Sequence, residues 1–297
     1  MSWDIASLLA KVITLMAMAS VVGGVLCLYL CLQSDSQVRG FLFAYLKIGA
    51  VTGVLASCLY FFVQVGAFSQ SGLSGMLDIT MLSILSQSAL GYASLSRVLA
   101  FALVLYFTCY MQRANKREEL GFGYYSVLIL FMLGLLLAYS FTLIGHVAEL
   151  NLIGGFAIGL HVLGISLWIG SLYPLLYLCK AEEVIRLQKI MQRFGELAMV
   201  FVAVLVLSGV FLLTQLLESP VELISTSYGL TLLFKLAGVT VLLTLGALNK
   251  LRLVPGLSND AGVTSLRQSI KWELGFAFLV LMITAYLTTL VGMNHAG

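Results

Sequence analysis

Eight separate apolar runs, each on the order of 20 residues or more, recur along the chain between short polar links. A run of that length crosses the hydrocarbon core of a bilayer as a helix, because only a helix or a closed barrel satisfies its own backbone there. The predicted fold is therefore all-α, a polytopic membrane helix bundle. A soluble globule is excluded, since 61% of the residues are hydrophobic, 10% are charged and the mean hydropathy is +1.05. So little polar surface cannot cover a water-exposed molecule.

The eight expected spans run from about Ile5 to Leu32, Phe41 to Phe68, Ser94 to Met111, Phe122 to His146, Gly155 to Cys179, Phe194 to Leu217, Tyr228 to Leu251 and Ile270 to Met293. The first is too long for a cleaved signal peptide and precedes no small-residue cleavage pattern. Between the second and third, Ser69 to Ala93 is rich in Ser and Gly and reads as an external loop carrying a membrane-edge helix. The longest later link, Arg252 to Arg267, contains Pro255, Gly256, Asn259, Asp260 and Gly262 and reads as a turn-rich connection. No link is long enough for a soluble module, so residues 1–297 form a single transmembrane domain.

Charge orients the bundle. Arg39, then Arg113, Lys116 and Arg117, then Lys180, Arg186, Lys189 and Arg193, then Lys250, Arg252, Arg267 and Lys271 fall in or beside alternate links. The positive-inside rule makes those links cytoplasmic and puts both termini on the outer face. The remaining bases, Lys11, Lys47, Arg97 and Lys235, lie within or at the edges of spans. The outer loops then carry Asp4, Asp78, Glu149, Glu218 and Glu222 without basic neighbours, a surface that either attracts cations or simply solvates the loops. The formal net charge of +3 implies no nucleic acid, because the basic residues are spent on topology.

The chain has three histidines, and two of them, His146 and His161, flank the link between the fourth and fifth spans. His146 ends an outward-running helix and His161 lies about 9 Å into an inward-running one, so both sit in the outer half of the bilayer. Ionisable side chains at such depth are site candidates; the plainer alternative is a histidine that hydrogen-bonds a neighbouring helix. Trp168 follows two turns later on the same face, and Gly170 allows close approach of another helix. Imidazole suits copper, zinc and iron, and thioether sulfur suits cuprous ion, so Met293 and His295 at the outer end of the eighth span are further candidates, as are Met76 and Met81. Of the five cysteines, Cys27, Cys31, Cys109 and Cys179 fall toward the cytoplasmic ends of their helices, where a disulfide framework is not expected. They are either small packing residues or a soft thiolate site on the exit side. Among the embedded polar residues, Lys235 needs a polar partner or a path to the interface. Glu196, Asn249 and Glu273 are expected near the cytoplasmic ends of spans six to eight, either paired with Arg193 and Lys250 or used in ion release or proton movement.

The run Gly145–His146, His161, Trp168, Gly170, Pro174 and Leu175, followed by Phe194, Ala198, Ser208–Gly209, Tyr228–Gly229, Lys235, Asn249, Pro255 and Glu273, resembles the copper resistance protein D (CopD/PcoD) family of bacterial inner-membrane proteins. The resemblance is strongest from Gly145 to the end; earlier it rests on span count and the region of Arg97. It implies an eight-span, multi-pass protein of the bacterial inner membrane that handles copper and works with a periplasmic CopC-like copper-binding partner. His146 and His161 match the family's paired-histidine positions and become the leading copper ligands, with Trp168 as a packing or gating residue beside them.

The expected function is copper transport or transfer across the inner membrane, not enzymatic catalysis, with copper loading at the outer histidines and passing inward toward the cysteines. No Walker sequence is present, so no nucleotide is expected to drive it. A rival from another class is a membrane oxidoreductase in which the two histidines ligate one b-type haem, with Trp168 lining its pocket. A third reading is a non-transporting copper-delivery or assembly factor.

Overall fold

In the computed structural model, residues 3–116, 124–143, 152–217, 219 and 221–291 are described. The chain forms α1 (Trp3–Leu30), α2 (Ser36–Ser69), a 3-10 turn (Gly72–Leu77), α3 (Ile79–Ser86), α4 (Ala89–Lys116), α5 (Tyr124–Ser140), α6 (Leu152–Ala181), α7 (Val184–Leu216), the short α8 (Glu222–Ser225), α9 (Ser227–Leu248) and α10 (Asp260–Tyr286). Single π-helical turns extend α9 over Asn249–Leu253 and α10 over Leu287–Val291. Among the described residues, seven helices are long and apolar enough to cross a membrane, and α5 is a shorter apolar helix of 17 residues. The protein is thus a multi-pass helical membrane protein.

Several helices are longer than their apolar cores. The expected turn-rich link before the last span is confined to about Val254–Asn259, since α10 begins at Asp260. Asn259 caps it by accepting from the Gly262 N–H at 3.0 Å, so an N-cap residue near a proline carries the signal for this earlier start. Helix α7 likewise begins ten residues before its expected apolar run, and that extension exposes Arg193. In the loop after α2, the expected short helix is α3, capped by Asp78, whose carboxylate accepts from the Met81 N–H at 3.1 Å. That backbone donor holds the Asp78 carboxyl below the usual carboxylate range.

The fourth apolar run differs most from expectation. Its helix ends at Ser140, followed by a turn over residues 141–143, rather than continuing to His146. The buried Arg97 of α4 provides a physical reason: its guanidinium donates to the Ser140 carbonyl and to Ser140 Oγ, both at 3.2 Å, and lies 4.1 Å from the Phe141 ring centroid. A carbonyl left over at a helix end is thereby satisfied by a side chain.

Helix α1 is the axis of the bundle. In its apolar centre 67% of residues are buried, against 17% for α7 and α9, whose outer faces are left for lipid. It packs on α2, α5, α6 and α10, while α2 packs on α4, α6 on α7, and α9 on α10. One continuous apolar core joins both halves, from Met18 and Phe43 to Phe194 and Val280. At the α1–α6 crossing the backbones touch: a Cβ on Gly170 would lie 1.7 Å from the Ala19 carbonyl oxygen, and one on Gly23 would lie 2.2 Å from the Gly170 carbonyl carbon. Only glycine fits at such a crossing. The contact is tied by Tyr45 Oη donating to the Gly170 carbonyl at 2.9 Å, while Ser171 Oγ, which donates within its own helix to the Leu167 carbonyl at 2.7 Å, also lies 3.2 Å from the Gly23 carbonyl. The close approach expected of Gly170 is therefore made, with α1 as the partner.

Candidate functional site

The crossing on α1 fixes α6, and α6 presents two polar aromatic side chains to the C-terminal half of the bundle. The first is His161, half-buried against α7. Its Nδ1 lies 3.1 Å from the Leu205 carbonyl and 3.3 Å from Ser208 Oγ. Ser208 commits its own proton to the carbonyls of its helix, at 2.7 Å from Val204 O, so both neighbours of Nδ1 act as acceptors. A carbonyl can only accept, so Nδ1 carries the proton and the lone pair of the neutral ring is on Nε2. Gly209 seats the ring, since a Cβ there would lie 3.1 Å from His161 Cε1. His161 thus makes the hydrogen bond to a neighbouring helix that the plainer alternative expects, with the lone pair of its ring on Nε2. Lys235 is half-buried on α9.

His146, Met293 and His295 lie outside the described residues, as do the acids Glu149 and Glu218. Of the other embedded bases, Lys11 donates to the Thr288 carbonyl at 3.2 Å and Lys47 to Gln112 Oε1 at 2.8 Å.

The second aromatic is Trp168, two turns further along α6, about 10 Å closer to the basic end. It is 5% exposed and helps to line a cavity of about 360 Å³ between α6, α7, α9 and α10. Asn249 and Glu273 line the same cavity and come together there. Glu196, expected beside them, is exposed on α7, although its neighbour Gly195 accepts from Lys250 Nζ at 3.0 Å. Among the described residues no ion pair within 4 Å joins Glu273 to a base; Arg186 makes the pairs at this end, with Asp35 at 3.5 Å and Glu182 at 3.7 Å.

Cys27 and Cys31 are fully enclosed in the core, with the Cys27 thiol 3.8 Å from the Ser171 carbonyl, and Cys179 is buried too; Cys109 is half-buried on α4. No three His, Cys, Asp or Glu side chains converge as a metal group among the described residues. The sequence reading missed Gly246, where a Cβ would meet both Trp168 and Glu273, and Met191, a buried thioether on the cavity wall. A small residue in the span opposite Trp168 was the available signal for the first.

These features define a polytopic helical membrane protein with a hydrogen-bonded intramembrane histidine above a polar-floored cavity. Residues 1–154 match the family described as copper resistance protein D-like, N-terminal domain, and residues 188–287 match copper resistance protein D. The chain belongs to the copper resistance protein D family. It is 29% identical over 180 residues to the copper transport protein CutJ of Bacillus subtilis (strain 168), covering 59% of this chain and 32% of that protein. The chain therefore spans about a third of the length of the curated relative it matches. No solved structure matches it.

Proposed function

We propose that this protein moves copper across the bacterial inner membrane as a transporter rather than an enzyme, with His161 as a ligand on the outer half of the path. The observation that carries this reading is the state of the His161 ring: Nδ1 donates to a main-chain carbonyl and Nε2 keeps the lone pair, the arrangement in which a histidine is oriented to bind a metal. Membership of a copper resistance family and similarity to a protein named for copper transport support copper as the cargo.

The topology belongs to the same proposal. With α5 as a short eighth span of about 25 Å, the basic links alternate to one side, which the positive-inside rule makes cytoplasmic. Both termini and the acidic loops then face the periplasm, where a separate CopC-like protein can deliver copper. His146, Met293 and His295 complete the outer ligand set in this reading, and Cys27, Cys31, Cys109 and Cys179 mark the exit end.

Copper uptake into vesicles containing the purified protein tests it. Replacing His146 and His161 together by alanine is expected to lower uptake at least about tenfold, the scale on which copper sites depend on their ligands and supports. Unchanged uptake overturns the assignment. A Soret band in the purified protein would instead favour the haem reading.

A further inference from the structure

The cavity beneath Trp168 is floored by two oxygen atoms that no donor reaches. Glu273 is 3% exposed and Asn249 is 8% exposed. Glu273 Oε1 and Asn249 Oδ1 are each sealed from solvent and have no hydrogen-bond partner among the described residues. Buried acceptors are normally satisfied, so two orphans on one cavity wall point to a missing donor or cation between them. Gly246 keeps the space between ring and carboxyl open: the point its Cβ would occupy is 3.2 Å from Trp168 Cζ2 and 3.3 Å from Glu273 Oε1.

The surroundings favour a metal cation as that group. The Glu273 carboxyl supplies an oxygen donor whose proton a metal cation would displace in this poorly screened setting, the amide oxygen a second donor, Met191 a thioether and the Trp168 indole an aromatic neighbour on the same wall. Lys250 lines the same cavity, but its ammonium is drawn off to the Gly195 carbonyl at 3.0 Å. A mixed set of this kind binds copper less tightly than a cluster of thiolates, which suits a site that must also release its ion.

We propose that Glu273 and Asn249, beneath Trp168, form a second metal-cation station in the basic half of the bundle, which receives the copper ion leaving His161. The proposal rests on the copper reading above, and its test is separable from transport.

A protein whose other tryptophans, Trp3 and Trp272, are replaced by phenylalanine reports on Trp168 alone. It is titrated in detergent with buffered Cu(I) under ascorbate and, separately, with Cu(II). The expected result is saturable quenching of Trp168 by at least one of them, retained in His161→Ala and weakened at least about tenfold in affinity by Glu273→Gln, with partial recovery in Glu273→Asp. Asn249→Asp, which adds a second carboxylate, is expected to tighten binding and carries the test if Glu273→Gln does not fold. Equal affinity in folded Glu273→Gln, no tightening in Asn249→Asp, or no quenching by either copper ion overturns the station. Absent copper flux in vesicles would overturn the transport reading and leave this titration to decide the station by itself.

Discussion

At His161 the Leu205 carbonyl decides which ring nitrogen holds the proton, and Gly209 decides where the ring lies. Neither effect involves a ligand, yet both determine whether Nε2 is aimed consistently. The Gly209 contact makes this testable without touching the histidine. Gly209→Leu pushes the ring off its seat and is expected to lower copper uptake at least about tenfold, whereas Gly155→Ala, at a position with nothing within 4 Å of the added Cβ, leaves it unchanged. Uptake in vesicles checks both; normal uptake in folded Gly209→Leu would mean the ring's position is not used. From the sequence alone His161 could be singled out because charge-capable residues at membrane depth are rare. Its tautomer could not, because the deciding acceptor is a main-chain carbonyl 44 residues away, and a main-chain group leaves no mark on residue identity.

Among the elements, the crossing of α1 with α6 holds the site in place. The backbones meet at Gly23 and Gly170, so even one methyl group must displace main chain rather than a flexible side chain. Gly170→Ala is expected to destabilise the protein by about 3 kcal/mol or more, read as a lower thermal midpoint in detergent. Gly275→Ala, on α10 with open space around it, serves as the neutral comparison; equal midpoints for the two variants would contradict the crossing. Gly170 was legible in the sequence as a place of close approach. Its partner was not, since a small-residue signal names one face of a contact and Gly23 lies 147 positions earlier among other small residues. Helix ends were less legible still. Hydropathy follows the bilayer, whereas α7 and α10 continue into water on polar turns, α10 with its own Asn259 cap, and α5 stops where Arg97 reaches the Ser140 carbonyl.

For the whole molecule, the pattern of apolar runs is enough to yield an all-helical membrane bundle, because hydrocarbon permits few other outcomes for such a chain. The pairing of helices within it depends on long-range packing that the runs do not encode. The cavity illustrates this: Trp168, Gly246, Asn249 and Glu273 come from three stretches of sequence and meet only because α6, α9 and α10 converge. The proposed path follows from that convergence, with His161 in the outer half and the Glu273 floor toward the basic end. Side-resolved copper uptake in vesicles of fixed orientation tests it most directly. The account predicts inward flux when copper is offered at the acidic face, at least about tenfold lower in His161→Ala. Flux that is absent in the unaltered protein, or unaffected by His161→Ala, would contradict it.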